Sequence, residues 1–161
     1  VTGIHSQARN SLFSERKIMW CHKILVAYDG SPASEKAIAL AQAIASESPE
    51  VELVLVNIMR LVGGGMTGAG MDAVLADDAE AMRQHLLEVA ANAANPTTVK
   101  VLSGTAPAEL ILRCVREEGC DLVIMGSRGK GGVGGYLGSV SYAVTKSSPV
   151  AVLITKEGDC R

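Results

Sequence analysis

Apolar positions along this chain follow two rhythms. Residues 24–27, 51–58, 121–125 and 150–155 are short, nearly unbroken apolar runs, the pattern of strands buried on both faces of a parallel sheet. Within 51–58 the only polar residues are Glu52 and Asn57. Residues 97–102 instead alternate, Val99 and Val101 against Thr98 and Lys100, which predicts a half-exposed edge strand. Between these runs, apolar residues recur at helical spacing: Ala37, Leu40, Ala41 and Ile44; then Met71, Leu75, Met82, Leu86 and Val89; then Leu110, Ile111, Cys114 and Val115. Ser31-Pro32 reads as a helix start, because Ser caps free N–H groups and Pro suits the first turn. Pro49 breaks that helix after about Ser46, and Gly119 stops a later one. The second helix is expected from about Met71 to Ala93. The resulting order, β-α-β-α-β-α-β-α-β, predicts an α/β fold. It is a single doubly wound, five-stranded parallel sheet with helices on both faces, in strand order 3-2-1-4-5.

In such a sheet, ligands sit outside the carboxyl ends of the strands where the strand order reverses. That crevice lies between Asp29, at the end of strand one, and Gly126, at the end of strand four. Gly126 opens a loop with seven glycines in thirteen residues, at 126, 129, 131, 132, 134, 135 and 138. Ser139, Val140 and Ser141 then open a short helix to about Ser147. A strand feeding a glycine loop feeding a helix start is the architecture of an anion cradle, since its backbone N–H groups converge inward. Between Leu122 and Lys156 there is no Asp or Glu, whereas Arg128, Lys130, Lys146 and Lys156 are cationic. This local absence of acid favours a bound phosphate, with Arg128 and Lys130 either contacting it or simply solvated.

Composition narrows the alternatives. A chain of 161 residues with 48% apolar and 20% charged residues suits one soluble globular domain. With 3% aromatics and a net charge of −2 it lacks the basic face and stacking rings that nucleic acid requires. No apolar run reaches the roughly 20 residues of a membrane span, and the first residues carry no secretory h-region. Cys21, Cys114, Cys120 and Cys160 form no CxxC pair, so free thiols in a reducing cytoplasm are expected. Asp77-Asp78 offers a metal site on paper, but adjacent helical residues point apart, and a solvated face is the stronger reading. Residues 1–21 read as a flexible extension, 22–156 as the domain and 157–161 as a tail. The glycine-rich stretch 59–70 is either a lid or plain surface, with disorder the first expectation.

The loop is not a P-loop, because no GxxxxGK[ST] is present. Gly129, Gly131 and Gly134 satisfy GxGxxG, but Ile154 stands where a dinucleotide site wants an acidic residue, and no second mononucleotide half follows. Taken together, KILVAYDGS at 23–31, PAELIL at 107–112, DLVIMGSRG at 121–129, GSVS at 138–141 and PVAVLI at 149–154 resemble the universal stress protein family. The resemblance covers 22–156 and implies an adenine nucleotide alpha hydrolase-like, Rossmann-like fold. Nucleotide-binding members carry Gly-x2-Gly-x9-Gly-(Ser/Thr). Carried over, this implies that Gly126, Gly129, Gly138 and Ser139 hold the phosphates and ribose of ATP or AMP, with Val140 and Ser141 alongside. Asp29 then sits by the nucleoside, Ile58 meets adenine, and Ala27 and Met125 line the pocket. Magnesium, if present, is held by the phosphates rather than by protein side chains. Here only eight residues separate Gly129 from Gly138, about 3.5 Å less reach.

The resemblance implies a nucleotide-binding regulatory module of the stress response, acting on an unidentified protein partner as a homodimer through Val150, Ala151, Val152, Leu153 and Ile154. An apolar edge strand agrees with such pairing. The short loop favours an alternative, an interaction protein of the same fold without nucleotide. Dedicated phosphate chemistry needs a positioned base or a metal-holding carboxylate; the loop offers neither, so no catalytic residue is assigned and at most slow hydrolysis is expected.

Overall fold

The computed structural model describes residues 21–61, 69–128 and 137–157, with side chains of the second helix described from Leu75 onward. Most of the N-terminal extension, the centre of the 59–70 stretch, Gly129, Lys130 and Cys160 lie outside the described residues. The elements run β1 (Lys23–Ala27), α1 (Pro32–Ala45), β2 (Glu52–Arg60), α2 (Ala69–Ala91), β3 (Thr97–Gly104), α3 (Pro107–Glu118), β4 (Leu122–Gly126), α4 (Ser139–Ser147) and β5 (Ala151–Thr155). All strand pairs are parallel and the order is β3-β2-β1-β4-β5.

Strand periodicity divides the core into two layers. Ile24, Val26, Tyr28, Leu53, Leu55, Leu122 and Ile124 face α1 and α2, meeting Ala37, Ile38, Ala41 and Leu86. Leu25, Val54, Val56, Val123 and Met125 face α3 and α4, meeting Ile111, Cys114, Val115 and Val144. Ile24, Leu25, Val26, Val123 and Ile124 are all fully buried. At about 1.5–3 kcal/mol for each large aliphatic side chain removed from water, β1 and β4 anchor the domain. β3 lies at one edge and is half-exposed, as its alternation predicts.

Several expected boundaries shift for identifiable reasons. Met59 and Arg60 extend β2 rather than starting a linker, because β3 runs alongside and pairs them with Ser103 and Gly104. α2 begins at Ala69 and ends at Ala91; Ala93 belongs to the following turn, where its N–H reaches Ala90 O. Asp121 precedes β4 instead of opening it, since its carboxylate accepts from the backbone N–H groups of His22 and Lys23 at 2.6 and 3.0 Å. β5 begins at Ala151, after Val150. Leu40 is exposed, not on the buried face of α1; the buried arc is the row Ala33, Ala37, Ala41, Ala45 with Ser34 and Ile38. Leu40 falls on the outer margin of that arc, where the small alanines have already brought the helix close to the sheet. Asp77 and Asp78 are both exposed.

Candidate functional site

β1 and β4 are neighbours whose chains leave to opposite faces, α1 over one and α4 over the other. This makes their carboxyl ends the switch point. Gly30, with φ 76°, turns the chain from β1 into α1, a conformation glycine adopts without steric cost. Asp29 Oδ1 accepts from Ser31 N at 3.0 Å. Ser31 Oγ accepts from Ser34 N at 3.2 Å, capping α1 as the sequence predicts. α4 begins differently. Its N-cap is Gly138, which supplies no side-chain cap, so among the described residues no capping side chain takes its first-turn N–H groups. Gly138 N donates to Ser127 O at 2.7 Å and fixes the helix start against the end of β4. An uncapped N-terminus in a segment free of acid is suited to an anion.

The predicted residues divide by role in the fold. Ala27, Ile58, Met125 and Val140 all belong to the α3/α4 layer, at the carboxyl end of the sheet. Asp29 and Ser139 are exposed there, and Arg128 and Gly138 are half-buried. Gly126 and Ser141 are buried and serve the fold directly. A Cβ on Gly126 would stand 3.0 Å from Ala33 Cβ and 3.1 Å from Ser34 N, so the missing side chain is what lets α1 close on β4. Ser141 Oγ donates to Gly126 O at 2.8 Å, tying α4 to the same strand end. An open hollow of about 320 Å³ lies between the starts of α3 and α4, with Arg60, Ala108, Leu112, Ser139 and Val140 among its walls. It adjoins this apolar layer.

The β1–β2 ladder ends in an unusual way. The last β1–β2 rung is Tyr28 N to Val56 O at 2.8 Å. In a parallel ladder alternate residues turn both peptide groups toward the same neighbour, so the next rung would join Ile58 N to Tyr28 O. Instead, Tyr28 O accepts from Asn57 Nδ2 at 2.9 Å. Ile58 therefore presents its N–H and C=O toward the space where β1 has ended. Asn57 is 4% exposed and its Oδ1 has no hydrogen-bond partner among the described residues. The signal was present as one of the two polar residues of the 51–58 run; the other, Glu52, is exposed, whereas Asn57 is buried. Thr155 was also missed: its Oγ1 donates to Ala33 O at 2.6 Å, while its own carbonyl accepts from Ser127 N at 2.7 Å. It joins α1, β4 and β5 at one corner.

On the opposite face, Tyr28 Oη donates to the Glu35 carboxylate and lies 3.0 Å from His85 Nε2, with the rings stacked at 5.5 Å. Burial, and then the Glu35 carboxylate, push the phenol well above its usual range, so it stays neutral and joins β1, α1 and α2. Burial also raises the thiols of Cys21, Cys114 and Cys120, the last to about 12. All three are free and buried, which leaves them unreactive. Among the described residues no helix is long and apolar enough to cross a membrane.

An open parallel sheet of this order, with helices on both faces, defines the Rossmann-like α/β class. The chain belongs to the universal stress protein family, whose model matches residues 21–156. It is 33% identical over 134 residues to a universal stress protein of Thermus aquaticus, spanning 83% of this chain and 97% of that one. Among solved structures, UspA from Lactobacillus plantarum superimposes with a TM-score of 0.64 at 24% identity, covering 83% of this chain and 96% of that one. A universal stress protein in complex with cAMP gives 0.59 at 25% identity, covering 84% and 97%.

Gly126→Ala should destabilise the domain by about 1–3 kcal/mol through overpacking against α1, as read from urea unfolding of the ligand-free protein. An unchanged midpoint would show that α1 does not rest on this glycine.

Proposed function

We propose that the crevice binds an adenine nucleotide, ATP or AMP, and that the chain works as a regulatory module rather than a dedicated enzyme. The observation that carries this reading is the Ile58 peptide group, a donor and an acceptor left without a β1 partner. Beside it lies an apolar surface that includes Ala27 and Met125. Adenine asks for this combination, a flat apolar seat with a donor and an acceptor at its edge. Asp29 accepts from the ribose hydroxyls through the carboxylate oxygen that Ser31 does not use. Gly138, Ser139 and Val140 direct the first-turn N–H groups of α4 at the phosphates, with Arg128, Gly129 and Lys130 contributing from the loop. Gly126 and Ser141 act indirectly, by holding α1 and α4 in place. Magnesium enters with ATP, carried by the phosphates. The related structure in complex with cAMP supports the choice of adenine.

Asp29 is the carboxylate that the turn brings to this end of the sheet, and its geometry is that of a hydrogen-bond acceptor held by a turn. This reading assigns no general base at the phosphates, and hydrolysis is a slow side reaction in it. Calorimetric titration tests it: wild type should bind ATP or AMP saturably below millimolar, and Asp29→Ala should weaken binding about tenfold, the worth of a charge-assisted hydrogen bond. Unchanged affinity in the variant would remove Asp29 from the site. No saturable binding by wild type would favour the interaction protein without nucleotide.

The same reading has two copies pairing through β5 in the cytoplasm. β5 pairs only with β4 among the described strands, and Leu153 is 39% exposed along it. An apolar strand with an unpaired edge is a template for a second chain. Leu153→Lys should shift the protein from dimer to monomer in sedimentation, with the nucleotide site intact; a monomeric wild type would refute the pairing.

A further inference from the structure

We propose that Asn57 is a positioning residue: it ends the β1–β2 ladder one rung early and thereby keeps the Ile58 peptide group free to read the base. This deepens the adenine-nucleotide reading and rests on it. Three observations converge. The carboxamide Nδ2 takes Tyr28 O at 2.9 Å, the acceptor that the ladder would otherwise offer to Ile58 N. The preceding rung, Tyr28 N to Val56 O, is intact at 2.8 Å, so the strands are still paired at the residue whose carbonyl the amide takes. The other end of the amide, Oδ1, is buried with no partner among the described residues.

A buried orphan acceptor carries a desolvation penalty that an apolar side chain at this position would avoid. Its neighbours on the same face, Leu53 and Leu55, are apolar, and a valine here would continue their pattern and release Tyr28 O to Ile58 N. Stability alone therefore favours the residue that is absent. What Asn57 supplies instead is a strand end whose donor and acceptor stay open. Because the amide competes for the carbonyl from within the sheet, Ile58 is kept free without a bulge or a glycine, and its side chain stays in the apolar layer below the base.

The test uses Asn57→Val in the full chain with two independent readouts. In amide hydrogen exchange without ligand, the wild-type Ile58 N–H should exchange at least about tenfold faster than that of Val56, and the variant should protect it as the extra rung forms. The variant should unfold at the same or a higher temperature, whereas a residue that merely supports the fold would lower it. In titrations, wild type should prefer ATP over inosine triphosphate by about tenfold or more, since inosine places an acceptor where adenine has its amino donor. In the variant the two affinities should converge while binding through ribose and phosphate persists. Equal weakening of both nucleotides, with the ratio kept, would overturn the proposal, as would an Ile58 amide already protected in wild type. If wild type binds no adenine nucleotide but its Ile58 amide exchanges freely, the nucleotide reading fails and the base-reading role fails with it. The ladder-ending role then stands on the exchange result.

Discussion

β1 stops after five residues while β2 runs for nine, and the shape of the carboxyl edge depends on that mismatch. A longer β1 would fill the space beside Ile58 and leave no crevice. A shorter β2 would lose the segment that projects past β1, which is held from the other side by β3 through Arg60 and Gly104. The chain ends β1 through backbone chemistry: Asp29 and Gly30 turn away, Ser31 caps α1, and Asn57 takes the carbonyl that would have continued the ladder. A central strand is thereby terminated in the middle of a sheet without exposing its apolar faces.

The two helices that flank the crevice are finished in opposite ways. α1 is closed, its first turn satisfied by Ser31 and its body pressed onto Gly126 by a row of alanines. α4 starts at a glycine without a side-chain cap, beside the carboxyl end of β4. A small set of hydroxyls fixes the relative positions of these ends. Ser141 ties α4 to Gly126 O, and Thr155 ties β5 to α1. Each bond contributes on the order of 1 kcal/mol to stability. Their larger effect is preorganisation, because a site built from peptide groups is only as well placed as the turns that carry it.

Most of this architecture was legible in the residues. Unbroken apolar runs announced buried parallel strands, and alternation at Val99 and Val101 announced the edge. Ser31-Pro32 and Gly119 marked helix ends that the structure keeps. Less legible were features that depend on neighbours distant in the chain. That β2 continues through Met59 and Arg60 depends on β3, and that Leu40 is exposed depends on how closely alanines seat α1. Gly126 read as a cradle glycine; its Cβ space is in addition taken by Ala33 and Ser34, contacts that no local pattern encodes. Asn57 is the instructive case. Its polarity inside an apolar run was visible, but its meaning required the register that sets it beside Tyr28 O.

The central claim is that the open strand end and the uncapped helix hold an adenine nucleotide in this chain. Denaturing the purified protein and identifying the small molecules released tests it most directly, followed by calorimetric return of the same compound with and without magnesium. The account predicts that ATP or AMP is recovered and rebinds saturably, despite the eight-residue spacing between Gly129 and Gly138. An empty protein that ignores millimolar nucleotide, a binding free energy weaker than about −4 kcal/mol, would contradict it and move attention to the β5 edge.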